Sequence, residues 1–294
     1  MKKVVVAGSG VLGSQIAFQT AFHHHQVVVY DLKDEFLEKG KEKIRLLFDD
    51  YKRDLNATQE QLDAAFTMIS YSSVLREAVQ DADIVIEAIP ENIQIKKDFY
   101  IELGALAPDK TIFCTNSSTL LPSQFAAETA RPEKFLALHF LNGVWKNTIV
   151  EVMRHQGTAP AVFEEIVAFS KSIGLTPLQL RKEQPGYITN SLSVPWVAAA
   201  LRLWADDVAD FQTIDKTWNI GMNTKFPPFA FIDAVGLNTA YNIMKNLSEQ
   251  QNDSILEKGA NRLKEDYIEK GKLGVSTGEG FYKYPNPAYL DEQF

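Results

Sequence analysis

The chain has 294 residues, 45% of them hydrophobic and 23% charged, enough for one large or two modest domains of ordinary globular composition. Its formal net charge of −8 excludes the clustered basic surface that nucleic acid or an anionic membrane requires, leaving small molecules as the expected partners. The one cysteine, Cys114, excludes an internal disulfide framework and fits a reducing cytoplasm, the expected location.

No stretch approaches the roughly 20 apolar residues of a membrane span. The opening MKKVVVAGSG reads as a first strand rather than a signal peptide, because its apolar run is short and turns at once. Apolar, β-rich runs then alternate with helical stretches. The strands expected are VVVAG (4–8), QVVVYD (26–31), IVIEAI (84–89), TIFCTN (111–116), FLALHF (135–140) and IVEVM (149–153). Between them lie helical patterns such as VLGSQIAFQTAFH, DEFLEKGKEKIRLLFDDYKRDL, QIKKDFYIELGALA and PAVFEEIVAFSKSIG. Strand–helix alternation with near-continuous apolar strands predicts an α/β Rossmann-type, doubly wound parallel sheet covered on both faces. Cys114, inside TIFC, is expected as a buried strand thiol. After Pro185-Gly186 strand signals stop and helical patterns continue to the end. The expected organisation is a Rossmann-like region over 1–183 and an all-α C-terminal domain over 186–294.

Gly8-Ser9-Gly10-Val11-Leu12-Gly13 follows the first strand and opens the first helix. Glycines there allow a tight turn, close approach of a pyrophosphate to backbone N–H groups, and close helix–strand packing. Asp31 ends the second strand, where a carboxylate accepts from ribose hydroxyls and repels a 2′-phosphate. That pattern favours NAD over NADP; the competing reading is a glycine turn plus an aspartate helix cap. Ala88, in the third predicted run, is counted with Val11 and Leu12 in the cofactor site. The adjacent imidazoles of His23-His24-His25 point in different directions, so no metal is expected and a solvated loop is the reading adopted.

Ligands of a doubly wound sheet meet the carboxyl ends of its strands. Three groups are expected at such ends: Ser118 after TIFCT, His139 in FLALHF and Glu151 in IVEV. A hydroxyl-bearing carbon gives up hydride only as its O–H proton leaves. An imidazole suits that proton transfer in either direction, and a carboxylate behind it fixes the tautomer. No G-x-S-x-G surrounds Ser118, so a hydrolase elbow is not expected.

The segments GSGVLGSQIA, ADIVIEAIPENIQIKKDFYIEL, TNSSTLLPS, RPEKFLALHFLN, IVEV, QPGYITN, AVGL and GKLGVSTGEGFYKY, in this order, resemble the L-3-hydroxyacyl-CoA dehydrogenase family, including its 3-hydroxybutyryl-CoA dehydrogenases. The resemblance implies interconversion of a 3-hydroxyacyl and a 3-oxoacyl compound with NAD. It also implies a helical domain that contributes to the substrate cleft and builds a homodimer interface. His139 would be the acid/base, Glu151 its charge partner, and Ser118 and Asn190 the holders of the substrate oxygen. Glu91, Lys96, Asn116 and Asn142 fall where the family contacts cofactor or active-site groups. Departures gather where substrates sit. The family's N-P-V reads Asn142-Gly143-Val144, the asparagine–arginine pair after P-G-F reads Asn190-Ser191, the G-P-F segment reads Pro227-Pro228-Phe229, and a basic tail residue is Ser276. These changes bear on CoA recognition, and the pattern is most similar to a diketoreductase-like branch acting on β-keto or β,δ-diketo esters. A crystallin-like, nucleotide-bound protein without turnover is the competing class.

Overall fold

The valine-rich runs near the start of the chain become neighbouring strands. β1 (Lys3–Ala7) and β2 (Gln26–Tyr30) pair in parallel, Val5 opposite Val28, with α1 (Val11–Phe22) crossing between them. Both faces of β1 are buried. Val4 and Val6 pack in one apolar cluster with Ile16 and Phe18, while Val5 and Ala7 pack in another with Leu75 and Leu103. Two buried faces explain why the strand is apolar without alternation.

Six further strands complete the sheet: β3 (Ile69–Ser72), β4 (Ile84–Glu87), β5 (Ile112–Thr115), β6 (Phe135–Phe140), β7 (Ile149–Met153) and β8 (Thr176–Leu180). Their order is β3-β2-β1-β4-β5-β6-β7-β8. The chain turns from one flank to the other between β1 and β4, which places a ligand crevice at the carboxyl ends of those two strands. The flanking helices are α2 (Asp34–Leu55), α3 (Gln59–Thr67), α4 (Leu75–Val79), α5 (Ile93–Leu106) and α6 (Pro160–Ser172).

The expected sheet differs from the observed one in three respects. β3 and β8 are additional edge-side strands. β7 runs antiparallel to β6, pairing His139 with Glu151, and only then does β8 return parallel to β7. Glu151 therefore lies mid-strand rather than at a carboxyl end. The expected solvated histidine loop is also only partly so. His25 is 7% exposed, its Nδ1 accepts from the Lys2 N–H, and its Nε2 lies 3.0 Å from Ser172 Oγ. Cys114 is fully buried on β5, and burial pushes its thiol pKa up.

The structure, a computed structural model, describes residues 1–291 and 294 and divides into two compact units, Met1–Ile188 and Thr189–Phe294. The second unit is helical, as its sequence predicts: α7 (Thr189–Ala205), α8 (Phe211–Met222), α9 (Pro228–Val235), α10 (Leu237–Gln251) and α11 (Ser254–Asp266). The expected continuous helix through AFIDAVGLNTAY is divided at Gly236, whose φ of +93° ends α9. Two buried carboxylates tie the tail to these helices. Asp215 accepts from Phe229 N–H and the Tyr282 hydroxyl, and Asp233 accepts from Phe281 N–H, Tyr282 N–H and the Tyr284 hydroxyl. Among the described residues, no helix is long and apolar enough to cross a membrane.

Candidate active site

The turn after β1 is shaped by backbone crowding. Gly8 has φ +109°, and a Cβ there would lie 2.4 Å from the Ala88 carbonyl oxygen; one on Gly13 would lie 2.0 Å from the Gly8 carbonyl oxygen. Gly10 is different. A Cβ on it would meet no protein atom within 4 Å, so the space in front of it is open. Gly10 also caps α1 without a side-chain hydrogen bond, and the first turn of α1 carries no acidic residue. By contrast, α5, α8 and α11 are capped by Asn92, Asp210 and Asp253. An uncapped helix start offers its N–H groups and positive dipole end to an anion. A cavity of about 360 Å³ opens there, lined by Gly10, Leu12, Gly13, Ala88, Asn116 and Ser118 among others. These residues fit a dinucleotide pyrophosphate.

Asp31 stands at the end of β2 and is held toward this loop by Ser9. Its Oδ2 accepts from the Ser9 N–H at 2.8 Å and the Ser9 hydroxyl at 2.6 Å, and its Oδ1 accepts from Leu32 N–H. It does not cap α2, whose N-cap is Lys33 without a side-chain bond. The helix-cap reading of Asp31 is thereby removed. Beyond β4, Lys96 is 1% exposed and its ammonium lies 2.5 Å from Glu87 Oε1 and 3.4 Å from Glu91 Oε2. Glu87 also accepts from the hydroxyls of Tyr100 and Thr115. Burial opposes ionisation of Glu91, but hydrogen bonds from Ser117 and Thr119 and the charge on Lys96 outweigh it and hold its carboxyl below the usual range.

Ser118, His139 and Glu151 form one chain of contacts. Ser118 Oγ lies 3.1 Å from His139 Nε2, and His139 Nδ1 lies 2.9 Å from Glu151 Oε2. Register produces the second contact: His139 and Glu151 are directly opposite on antiparallel strands, with side chains on the same face. His139 is 3% exposed and Glu151 fully buried. With Nδ1–H donated to the carboxylate, Nε2 of the neutral ring carries the lone pair and accepts from the Ser118 hydroxyl. Glu151 Oε1 accepts from the Ile188 N–H at 2.9 Å. The arrangement can therefore take a proton at Nε2 and return it.

The structure gathers Gly10, Leu12, Gly13, Ala88, Glu91, Lys96, Asn116 and Ser118 around one cavity, with Gly8 shaping its turn. Asn116 Oδ1 accepts from Phe140 N–H, linking the ends of β5 and β6. Val11 is 62% exposed at the helix start. Asn142 does not line that cavity; it sits on an exposed turn where its carbonyl accepts from Asn147 Nδ2. Asn190 belongs to the second unit, where it lines a cavity of about 60 Å³ with Ser193, Val197 and Phe231. Three residues given no role in the sequence reading enter the first unit's site. Ser9 orients Asp31, Gln15 accepts from Gly143 N–H, and Tyr187 stacks on His139 at 4.3 Å between ring centroids. The polar residue between two fingerprint glycines is the signal for Ser9; nothing in the sequence marks Gln15. Among the described residues, no group of three or more His, Cys, Asp or Glu side chains is arranged to hold a metal.

The NAD binding domain of 3-hydroxyacyl-CoA dehydrogenase matches residues 3–184, and the C-terminal domain of the same family matches residues 186–284. The chain is 33% identical over 289 residues to human mitochondrial hydroxyacyl-coenzyme A dehydrogenase, covering 97% of this chain and 91% of that one. It is 32% identical over 284 residues to a probable 3-hydroxybutyryl-CoA dehydrogenase of Bacillus subtilis, covering 97% and 98%. Among solved structures, a diketoreductase studied for its catalysis of dicarbonyl compounds aligns with a TM-score of 0.91 and 48% identity, covering 97% of this chain and 99% of its own. The (S)-3-hydroxybutyryl-CoA dehydrogenase of Ralstonia eutropha aligns with a TM-score of 0.82 and 27% identity, covering 97% and 100%. The chain belongs to the 3-hydroxyacyl-CoA dehydrogenase family of NAD-dependent oxidoreductases.

Proposed function

We propose that the protein interconverts a 3-hydroxyacyl and a 3-oxoacyl compound, with His139 as the acid/base. The observation that carries this reading is the Ser118–His139–Glu151 contact chain beside the cavity at the start of α1. A bound nicotinamide dinucleotide would serve as hydride acceptor in its oxidised form and as hydride donor in its reduced form. In oxidation His139 Nε2 takes the hydroxyl proton while Glu151 holds the Nδ1–H and stabilises the imidazolium. In reduction the imidazolium returns that proton to the forming alkoxide. Ser118 donates to the substrate oxygen and stabilises negative charge on it, and we assign Asn190 a substrate-binding role as well. Gly8, Gly10, Val11, Leu12, Gly13, Asp31, Ala88, Glu91, Lys96, Asn116 and Asn142 serve the cofactor side. We assign residues 1–183 to cofactor binding and 186–294 to the substrate cleft and a homodimer interface, in the cytoplasm.

A second reading of the substrate rests on the turn after β6. Gly143 has φ +75°, and its N–H is bonded to Gln15. Proline fixes φ near −65° and lacks the N–H, so it cannot occupy this position as the family's N-P-V pattern would require. Together with the 48% identity to a diketoreductase, this favours a β-keto or β,δ-diketo ester over a CoA thioester. NADH oxidation with acetoacetyl-CoA and with ethyl acetoacetate separates the cases. Turnover of the ester alone supports the diketo-ester reading, turnover of the thioester alone the acyl-CoA reading, and turnover of neither a crystallin-like role without catalysis.

A further inference from the structure

We infer that Tyr187, with the adjoining Ile188, is the positioning residue that sets the geometry between Ser118 and His139. This inference rests on the acid/base reading of His139. Two consecutive residues at the end of the first unit reach all three members of the contact chain. The Tyr187 ring lies over the His139 imidazole at 4.3 Å between centroids, with the planes 13° apart. Its hydroxyl donates to the Ser117 carbonyl at 2.8 Å, one residue before Ser118. The Ile188 N–H donates to Glu151 Oε1. The stack fixes the plane of the imidazole, the phenol fixes the turn that carries Ser118, and the amide fixes the carboxylate behind the histidine.

Three further observations point the same way. Tyr187 is 1% exposed, and burial pushes its phenol pKa up, so the group is a neutral hydroxyl donor. Its backbone has φ +53°, a conformation that disfavours a non-glycine residue. The surrounding packing of Ala137, Met153 and Leu180 holds it there. Tyr187 acts through Ser118 and His139.

The test uses the full-length enzyme with NADH and whichever of acetoacetyl-CoA and ethyl acetoacetate the wild type reduces faster. Tyr187→Phe keeps the ring and removes the tether; kcat is expected to fall about five- to tenfold, with substrate KM and NADH Kd within about twofold of wild type. Tyr187→Leu removes both; kcat is expected to fall about 10²-fold, with NADH Kd again within about twofold. Either variant keeping kcat within twofold overturns the role assigned to the group it lacks. A parallel loss of kcat, NADH affinity and Tm in Tyr187→Phe overturns positioning in favour of general folding support. His139→Ala in the same assay separates this inference from the reading beneath it. If His139→Ala retains turnover, the acid/base reading fails. If it is inactive while both Tyr187 variants keep kcat, only the positioning role fails.

Discussion

His139 and Glu151 are cross-strand partners on antiparallel β6 and β7, and their side chains meet at 2.9 Å because that register places them opposite each other. The carboxylate is therefore built into the sheet rather than supplied by a loop. Both of its oxygens are engaged, one by the imidazole and one by the Ile188 N–H.

Glu151→Gln keeps the shape and removes the charge that stabilises the imidazolium. Turnover is expected to drop on the order of 10²-fold, and the acid limb of the oxidative kcat/KM profile to move to lower pH. A pH–rate series on the two enzymes checks this; an unmoved limb would make the carboxylate a structural partner only.

The antiparallel turn at β7 was written in the sequence. Residues 141–148 are too few for a parallel crossover, which needs a dozen or more residues. The short link, rather than the apolar character of IVEVM, decides the strand direction. β3 and β8 carried weaker signals. ISYS is half polar and short, and TPLQL contains a proline, tolerated because β8 is an edge strand. The glycine turn, Asp31, Ser118 and His139 were legible because each residue type has few alternatives at its position. Tyr187 was not, because the Pro185-Gly186 pair before it reads as punctuation, and the partners of its ring and hydroxyl lie far away in sequence.

Asp31 lies behind the Gly8–Gly13 turn with Ser9 bonded to its Oδ2. Asp31→Ser removes the charge that repels a 2′-phosphate, so the ratio of kcat/KM for NADH over NADPH is expected to narrow by at least tenfold. Steady-state kinetics with both cofactors decides it, and an unchanged ratio would place the ribose elsewhere.

Lys96 and Glu87 form a buried pair in the first unit, with Glu87 also bonded to Tyr100 and Thr115. Lys96→Met leaves a buried carboxylate without its cation. Such a loss costs about 3–5 kcal/mol, so chemical denaturation should show a clear fall in unfolding free energy. A change below about 1 kcal/mol would mean that the two hydroxyls and the Ile89 N–H, which also donates to Glu87, satisfy the carboxylate without the cation.

Asp215 makes the second unit sensitive to pH. Burial pushes its carboxyl up to about 7, against hydrogen bonds from Phe229 and Tyr282, and nearby Asp233 adds to the rise. The unfolded value is about 3.9. A pKa raised on folding means that the native state holds the proton more tightly. The stability from this group is therefore full below about pH 4 and is lost as pH rises toward 7, at up to about 1.4 kcal/mol per pH unit. Asp215→Asn should flatten the fall in Tm between pH 5 and pH 8 relative to wild type; identical slopes would assign the pH dependence to other groups.

The most direct test of the acid/base assignment is the kcat of His139→Ala for NADH-dependent reduction of the preferred β-keto substrate, with NADH binding followed by fluorescence on the same preparation. The expected result is a loss of about 10²–10⁴-fold in kcat with NADH affinity within about twofold of wild type. A kcat within a few-fold of wild type would contradict the assignment and leave the Ser118–His139–Glu151 chain a structural feature of the sheet.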